Sequence, residues 1–451
     1  MLEHLLTLSL FILIAFSSVI AGEKKLKSTN VTVYNQNLGV VKEIREIDIE
    51  KGTSEIKIRG VAEKIDPTSV HIKFNGEVLE QNYQYDLVSM DKILQKYIDR
   101  DILISGKDVA VSGILLSANR NQLVIRDKDG GLTMLPNVKD YQINVGQLPE
   151  GLITRPTLVW LVRSNESGKQ DVEMSYQTEG MKWHAEYVAV LNQDDTEMSL
   201  NSWVSIENNS GATYKEAKLK LVAGDVNIVK SPEDHYIGEL RLARNIMVEE
   251  KPQFQEKAFF EYHIYKLQRP ATVANNEVKQ ISLFEAEDVD IEKKYKYYSK
   301  HWQNSGKVNV VVEFKNSEEN NLGMPMPKGK VRLYKSDGES IEFIGEDNID
   351  HTPRKEDLSI KVGDAFDIVV KDETESSKKI TKNIYKETYV TTIHNRKEED
   401  IVVEVESAIG SNGKITKTNI EYEKKDAYSV IFKVPVEADE EKKLKYTVLY
   451  K

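Results

Sequence analysis

Val308-Asn309-Val310-Val311-Val312-Glu313-Phe314-Lys315 decides the fold class. Val308, Val310, Val312 and Phe314 fall on every second position, with Asn309, Glu313 and Lys315 between them. That is the period of a strand with one buried and one wet face. Outward from it, Asn321-Leu322-Gly323-Met324-Pro325-Met326-Pro327-Lys328-Gly329 reads as a bend, followed by a strand through Val331 and Leu333. Asp337-Gly338 turns tightly into Ile341-Glu342-Phe343-Ile344, a hairpin signal. After Asn348-Ile349-Asp350-His351-Thr352-Pro353 the chain returns as Leu358-Ser359-Ile360. It breaks at Gly363 and resumes with Phe366, Ile368 and Val370 alternating. Gly306 to Lys371 therefore predicts half of an antiparallel β-sandwich, and none of it presents a reactive centre.

The chain opens with Leu5 to Ile20, an apolar run closed by Ser17-Ser18-Val19-Ile20-Ala21-Gly22 and then by Glu23-Lys24-Lys25. A short apolar core followed by small residues predicts a secretory signal cut near Ala21 or Gly22. Met1 to His4 carries no Lys or Arg, and the run approaches the roughly 20 residues that span a bilayer, so an uncleaved anchor is the alternative. The chain has 451 residues, enough for two or three domains. Its net charge of −11 argues against nucleic acid, whose phosphates attract basic surfaces. It has no cysteine, which excludes disulfides, thiolate metal sites and cysteine catalysis.

Val31 to Phe74 reads as short strands at about ten-residue spacing, the rhythm of a sandwich, with Asn75-Gly76 as a two-residue hairpin turn. At Ser89 the period changes. Met90, Ile93, Leu94, Tyr97 and Ile98 stand at helical spacing, with Ser89 placed to cap. Five short strand candidates follow, at 101–105, 109–118, 122–126, 131–135 and 140–145. A short helix and five bent strands resemble the Sm-like small barrel. Leu135-Pro136-Asn137 stands where that fold's RNA-binding Arg-Gly loop would be, so the resemblance implies a structural or oligomerising barrel.

The sandwich pattern restarts at Arg155 and runs through Gly180-Met181-Lys182-Trp183-His184-Ala185-Glu186-Tyr187 and Leu200-Asn201-Ser202-Trp203. Asn208-Asn209-Ser210-Gly211 turns before Leu219 to Gly224. Gly180 to Tyr187, Asn208 to Gly211 and Leu221 to Asp225, with Asn321 to Pro327, Gly345-Glu346, His351-Thr352-Pro353 and Gly363 to Asp367, resemble the mucoidy-inhibitor-A-like family, domain of unknown function 4139. The resemblance runs through the whole mature chain. It implies a β-rich fold and an envelope or secreted setting, and it brings no catalytic residues. Arg241 to Lys257 reads as a linker. Asp372 to Lys379 reads as a solvated loop, and alternating strands follow to a closing Leu444, Tyr446, Val448 and Tyr450 on one face.

The fold class expected is mainly β: tandem antiparallel, immunoglobulin-like β-sandwiches with an inserted SH3/Sm-like small barrel. The expected divisions are a signal peptide at 1–22, a first sandwich at 23–86 and 149–230, and the barrel at 87–148. A linker with connecting strands at 231–285 and a C-terminal sandwich at 286–451 complete them.

For chemistry there is no phosphate loop, no Gly-x-Ser-x-Gly elbow and no His-Glu-x-x-His. No catalytic, cofactor-binding or metal residue is assigned. The most tempting set is Glu346, Asp350 and His351, whose hard oxygens and imidazole suit a divalent cation. Pro353 and the turn residues Asn348 and Asp350 favour instead a structural connection, with His351 bonded to a carbonyl. Carboxylate pairs such as Asp194-Asp195 and Glu318-Glu319 read as wet turns. Tyr295, Tyr297, Tyr298 and Trp302 read as sheet residues, with a sugar platform as the alternative. The sequence predicts an exported, non-enzymatic envelope or surface protein that binds another protein, a glycan or its own copy. A carboxylate-dependent hydrolase working from sandwich loops, with or without calcium, is the other class, and a deep pocket of converging carboxylates would mark it.

Overall fold

The computed structural model describes residues 25–106, 110–119, 122–139, 141–224, 226, 253–259, 262–300 and 305–451. The expected signal peptide, most of the linker and Trp302 lie outside these residues. The protein is mainly β, and among the described residues no helix is long and apolar enough to cross a membrane.

Alternation builds the sheets. In Met181–Leu191 every odd-numbered residue is buried and every even-numbered one faces outward, so one face packs and the other is wet. The first sheet has eight strands with Lys25–Tyr34, Gly39–Ile49 and Gly168–Thr178 at its middle, opposite a three-stranded sheet centred on Thr157–Ser164. A central sheet orders Glu277–Asp290, Glu197–Asn208, Met181–Leu191, Gly329–Ser336 and Ile341–Ile349. A nine-stranded C-terminal sheet includes Ser305–Lys315, Asp357–Lys379, Tyr385–Asn395 and Glu441–Tyr450. Asp101–Ser105, Ala110–Asn119, Gln122–Arg126, Leu132–Leu135 and Gln142–Asn144 pair only with one another, around their own core of Leu94, Ile104, Leu115 and Ile125. The helix Met90–Lys96 leads into them, capped as expected by Ser89 Oγ, which accepts the Lys92 amide at 3.3 Å.

The stretch that decided the fold class is divided between two sheets. Ser305–Lys315 and Asp357–Lys379 join the C-terminal sheet, while Gly329–Ser336 and Ile341–Ile349 join the central one. Asp337-Gly338 makes the expected hairpin, its carboxylate accepting the Glu339 and Ser340 amides. Asn75-Gly76 does not. His71–Lys73 pairs with Gly168–Thr178 and Glu77–Gln84 with Thr157–Ser164, so this turn carries the chain from one sheet to the other. Gly76 is needed there because a Cβ would lie 2.6 Å from the Arg163 carbonyl oxygen.

Three further expectations are corrected. Asp372–Lys379 is strand, not loop: it pairs from Asp372↔Thr391 to Lys379↔Tyr385. Backbone pairing sets a hairpin arm whatever its side chains, and Asp372 is buried, accepting from Thr391 Oγ1 at 2.8 Å and from Ser299 Oγ. Phe366 does not share the buried face of Ile368 and Val370. It is 94 % exposed, because the register shifts between Lys307 and Asn309 push its segment out of the ladder. The pairing is also not purely antiparallel. Lys25–Tyr34 runs parallel to Tyr214–Ala223, Met181–Leu191 to Gly329–Ser336, and Glu292–Ser299 to Ile401–Ala408.

Each second member of these parallel pairs follows the same device. Ile206-Glu207-Asn208, Phe314-Lys315-Asn316 and Ile393-His394-Asn395 each end a strand with a fully buried asparagine. Asn208 Nδ2 donates to the carbonyls of Ala212, Val273 and Ala274 at 2.8, 3.2 and 3.0 Å, and its Oδ1 accepts the Ser210 amide. Asn316 Nδ2 donates to Met324 and Pro353, both at 2.9 Å, and Oδ1 accepts from Gly323. Asn395 Nδ2 donates to Glu399, Val436 and Glu437, and Oδ1 accepts from Lys397. An amide with two donors and an acceptor closes a turn whose backbone groups would otherwise be buried unpaired.

The cores are joined by shared strands. Met181–Leu191 gives Met181 and Trp183 to the first core and Ala185, Tyr187 and Ala189 to the central one. Glu277–Asp290 does the same with Ile281 and Leu283, then Ala286 and Val289, so the boundary expected at 285/286 falls inside one strand. Ser305–Lys315 and Asp357–Lys379 bridge the central and C-terminal cores, through Val312 and Phe314 against Val308, and Leu358 and Ile360 against Ile368 and Val370.

Candidate functional site

The outer face of the central sheet is where unlike chemistry converges. Its strands bury Val204, Ile206, Tyr187 and Val331 beneath, so the alternate side chains stand outward. One row across the strands reads Ser282, Trp203, Glu186, Lys330 and Asn348. The next reads Glu285, Asn201, Val188, Arg332 and Glu346.

Glu186 is the electrostatic hub. His184 Nε2 lies 3.2 Å from its Oε1 and Arg332 Nη1 donates to its Oε2 at 3.0 Å. The His184 hydrogen bond, then Arg332, bring its pKa down to about 2 against the cost of partial burial. Arg332 also reaches Glu346 at 3.9 Å, and Lys330 donates to Glu346 at 3.0 Å. Lys182 pairs with Glu207 at 3.1 Å. The depressed Glu186 pKa has a consequence for stability. The group's contribution is complete above the ordinary glutamate range and is lost as pH falls from about 4.5 to about 2. Glu186→Gln is thus expected to cost about 1–2 kcal/mol at pH 7, after allowing for solvent screening. Urea midpoints of the two proteins should converge by about pH 2–3; a gap that stays constant with pH would show the ion pairs to be idle.

The residues singled out from the sequence are not brought together. Glu346 belongs to this face, Asp350 is exposed beyond it, and His351 Nδ1 accepts the Lys328 amide at 3.1 Å. The turn carboxylate that captures backbone amides is Asp347, which accepts from Asn348 and Lys361. Among the described residues, no group of three or more His, Asp or Glu is placed to hold a metal ion. Asp195 is not wet: Lys293 donates to it at 2.5 Å, Lys335 donates to its other oxygen, and together they hold its pKa low although burial opposes this. Among the described residues of that aromatic set, Tyr295 and Tyr297 are buried in the C-terminal core and Tyr298 is exposed, so the three tyrosines share no open face; Trp302 lies outside the described residues.

A groove of about 280 Å³ at the end of the C-terminal sheet is lined by Asp400, Glu437, Glu440 and Glu441. Two of its carboxylates are in use: Asp400 accepts the Ala438 amide at 2.8 Å and Glu441 lies 3.3 Å from His394. Among the described residues, each carboxyl group with a displaced pKa is displaced downward, as at Glu186, Asp195, Glu313 and Asp364.

The family described as Domain of unknown function (DUF4139) matches residues 172–451, well over half of the chain. The chain belongs to the DUF4139 family. No curated protein matches it. The DUF4139 segment contains the whole central sheet, with Trp203, Glu186 and Arg332, and the three strand-ending asparagines Asn208, Asn316 and Asn395. It begins inside the strand Gly168–Thr178 of the first sheet. In the sequence, alternation marks Trp203 as one more strand residue. Only the register reveals its neighbours.

Proposed function

We propose that this DUF4139 protein is an exported, non-enzymatic envelope or cell-surface protein that works by binding, with the outer face of the central sheet as its contact surface. In this reading it is of the mucoidy-inhibitor-A-like kind. The paired sheets are tandem immunoglobulin-like sandwiches, and the five self-paired strands at 101–144 are an inserted SH3/Sm-like barrel that serves self-association.

The observation that carries the binding reading is a broad, open face whose charges are fixed by one another and which surrounds a partly exposed tryptophan. A general acid needs a raised carboxyl pKa in a cleft. The downward displacement of the carboxyl groups favours binding over hydrolysis. The export reading rests on Leu5 to Ile20 and the small residues after it. Fractionation of the native host should place the protein outside the cytoplasm, with mass spectrometry finding a mature start near Gly22 or Glu23. Intact Met1 in a cytoplasmic fraction would overturn it.

A further inference from the structure

We propose that the outer face of the central sheet is a glycan platform on which Trp203 stacks against a pyranose ring of an uncharged oligosaccharide. This rests on the binding reading above and names its partner.

The three described tryptophans divide sharply. Trp160 and Trp183 are 0 % and 1 % exposed, and their indole N–H groups are spent inside the protein, on Gln81 Oε1 and on the Val222 carbonyl, each at 3.0 Å. Trp203 is partly exposed, and its N–H finds no acceptor among the described residues. An indole is apolar over its face and a donor at one edge, and proteins normally satisfy both when they use it for packing. Here the indole stands on the outer face of the sheet, partly exposed.

Its neighbours suit hydroxyl groups. Glu186 stands across one strand and Ser282 across the other, with Asn201 two residues away along its own strand. The C–H face of a pyranose covers an aromatic ring, and its equatorial hydroxyls then point sideways to acceptors and donors at the rim. Glu186 remains an acceptor at any pH above about 2, and His184 and Arg332 hold its orientation.

The charge pattern disfavours an acidic sugar. Lys182, His184, Arg332 and Lys330 are each paired with Glu207, Glu186 or Glu346, so these cations are not free for an acidic polymer, while the exposed Glu285 adds an acceptor for hydroxyl groups. Single-stranded nucleic acid also stacks on aromatic rings, but it needs a basic groove along its backbone.

The test titrates the full mature chain with uncharged glucose, N-acetylglucosamine and mannose hexasaccharides, reading tryptophan fluorescence and calorimetry. At least one series should saturate and shift the emission. Trp203→Ala should weaken binding at least ten-fold with an unchanged melting temperature, Trp203→Tyr should keep part of it, and Glu186→Gln should weaken it several-fold. Failure of all three sugars to saturate, or full binding by Trp203→Ala, would overturn the inference. A proline-rich peptide that binds instead, and is lost in Trp203→Ala, overturns the glycan assignment while leaving the contact face standing.

Discussion

Asn395→Ala is expected to destabilise the protein by about 3–5 kcal/mol, read as a lower midpoint of urea unfolding. The side chain is fully buried, and its removal strands the carbonyls of Glu399, Val436 and Glu437 and the Lys397 amide without their partner. Each buried polar group left unsatisfied costs about 1–3 kcal/mol, partly recovered where water reaches the turn. Asn395→Asp separates hydrogen bonding from shape. It fills the same space but aims a carboxylate oxygen at carbonyl oxygens, so at neutral pH it should be at least as damaging as alanine. Asn208→Ala should behave alike, since Asn208 serves three carbonyls and the Ser210 amide. A loss below about 1 kcal/mol at both positions would mean that these asparagines decorate the turns and do not close them.

Gly329→Val should leave little soluble protein. Gly329 opens the strand that runs parallel to Met181–Leu191, and a Cβ there would lie 2.1 Å from the Ala185 carbonyl oxygen and 3.1 Å from the Tyr187 ring. The first obstacle is backbone in mid-sheet and cannot rotate away, so the two strands must part. Their separation would also pull Tyr187 from the Pro327 carbonyl that its hydroxyl bonds at 2.7 Å. The expected loss exceeds about 4 kcal/mol, at the upper end for a single substitution. Soluble yield and circular dichroism decide it: a folded variant melting within a few degrees of the parent would refute the close approach.

Local chemistry was legible in the sequence and long-range placement was not. The alternation of Leu444, Tyr446, Val448 and Tyr450 gave a strand with one buried face, and all four side chains are in the C-terminal core. Ser89 marked a helix start and Asp337-Gly338 a hairpin, because capping and tight turns are settled within a few residues. Asn75-Gly76 has the same local signal, yet its flanking strands find better partners in different sheets. Asp372 reads as solvent-loving and is buried, because Thr391 and Ser299 come from strands 19 and 73 residues away. The buried asparagines did leave a trace, the thrice-repeated apolar-x-Asn at a strand end, but it is short enough to pass as turn composition. The outer-face cluster left none, since Glu186 and Arg332 are 146 residues apart and meet only through a parallel register.

The sharing of strands between cores bears on how the protein can be cut. A segment defined by sequence kinship starts at 172, but Tyr214–Ala223 would then lose its parallel neighbour Lys25–Tyr34, and Val172, Met174 and Tyr176 would lose the strand Gly39–Ile49 beside them. Farther along, a cut near 285 or 365 would sever strands that serve two interiors at once. The matched segment is therefore shorter than the unit that strand pairing holds together. A crystallographer or engineer seeking a minimal piece should begin no later than Lys25 and keep everything to the final strand.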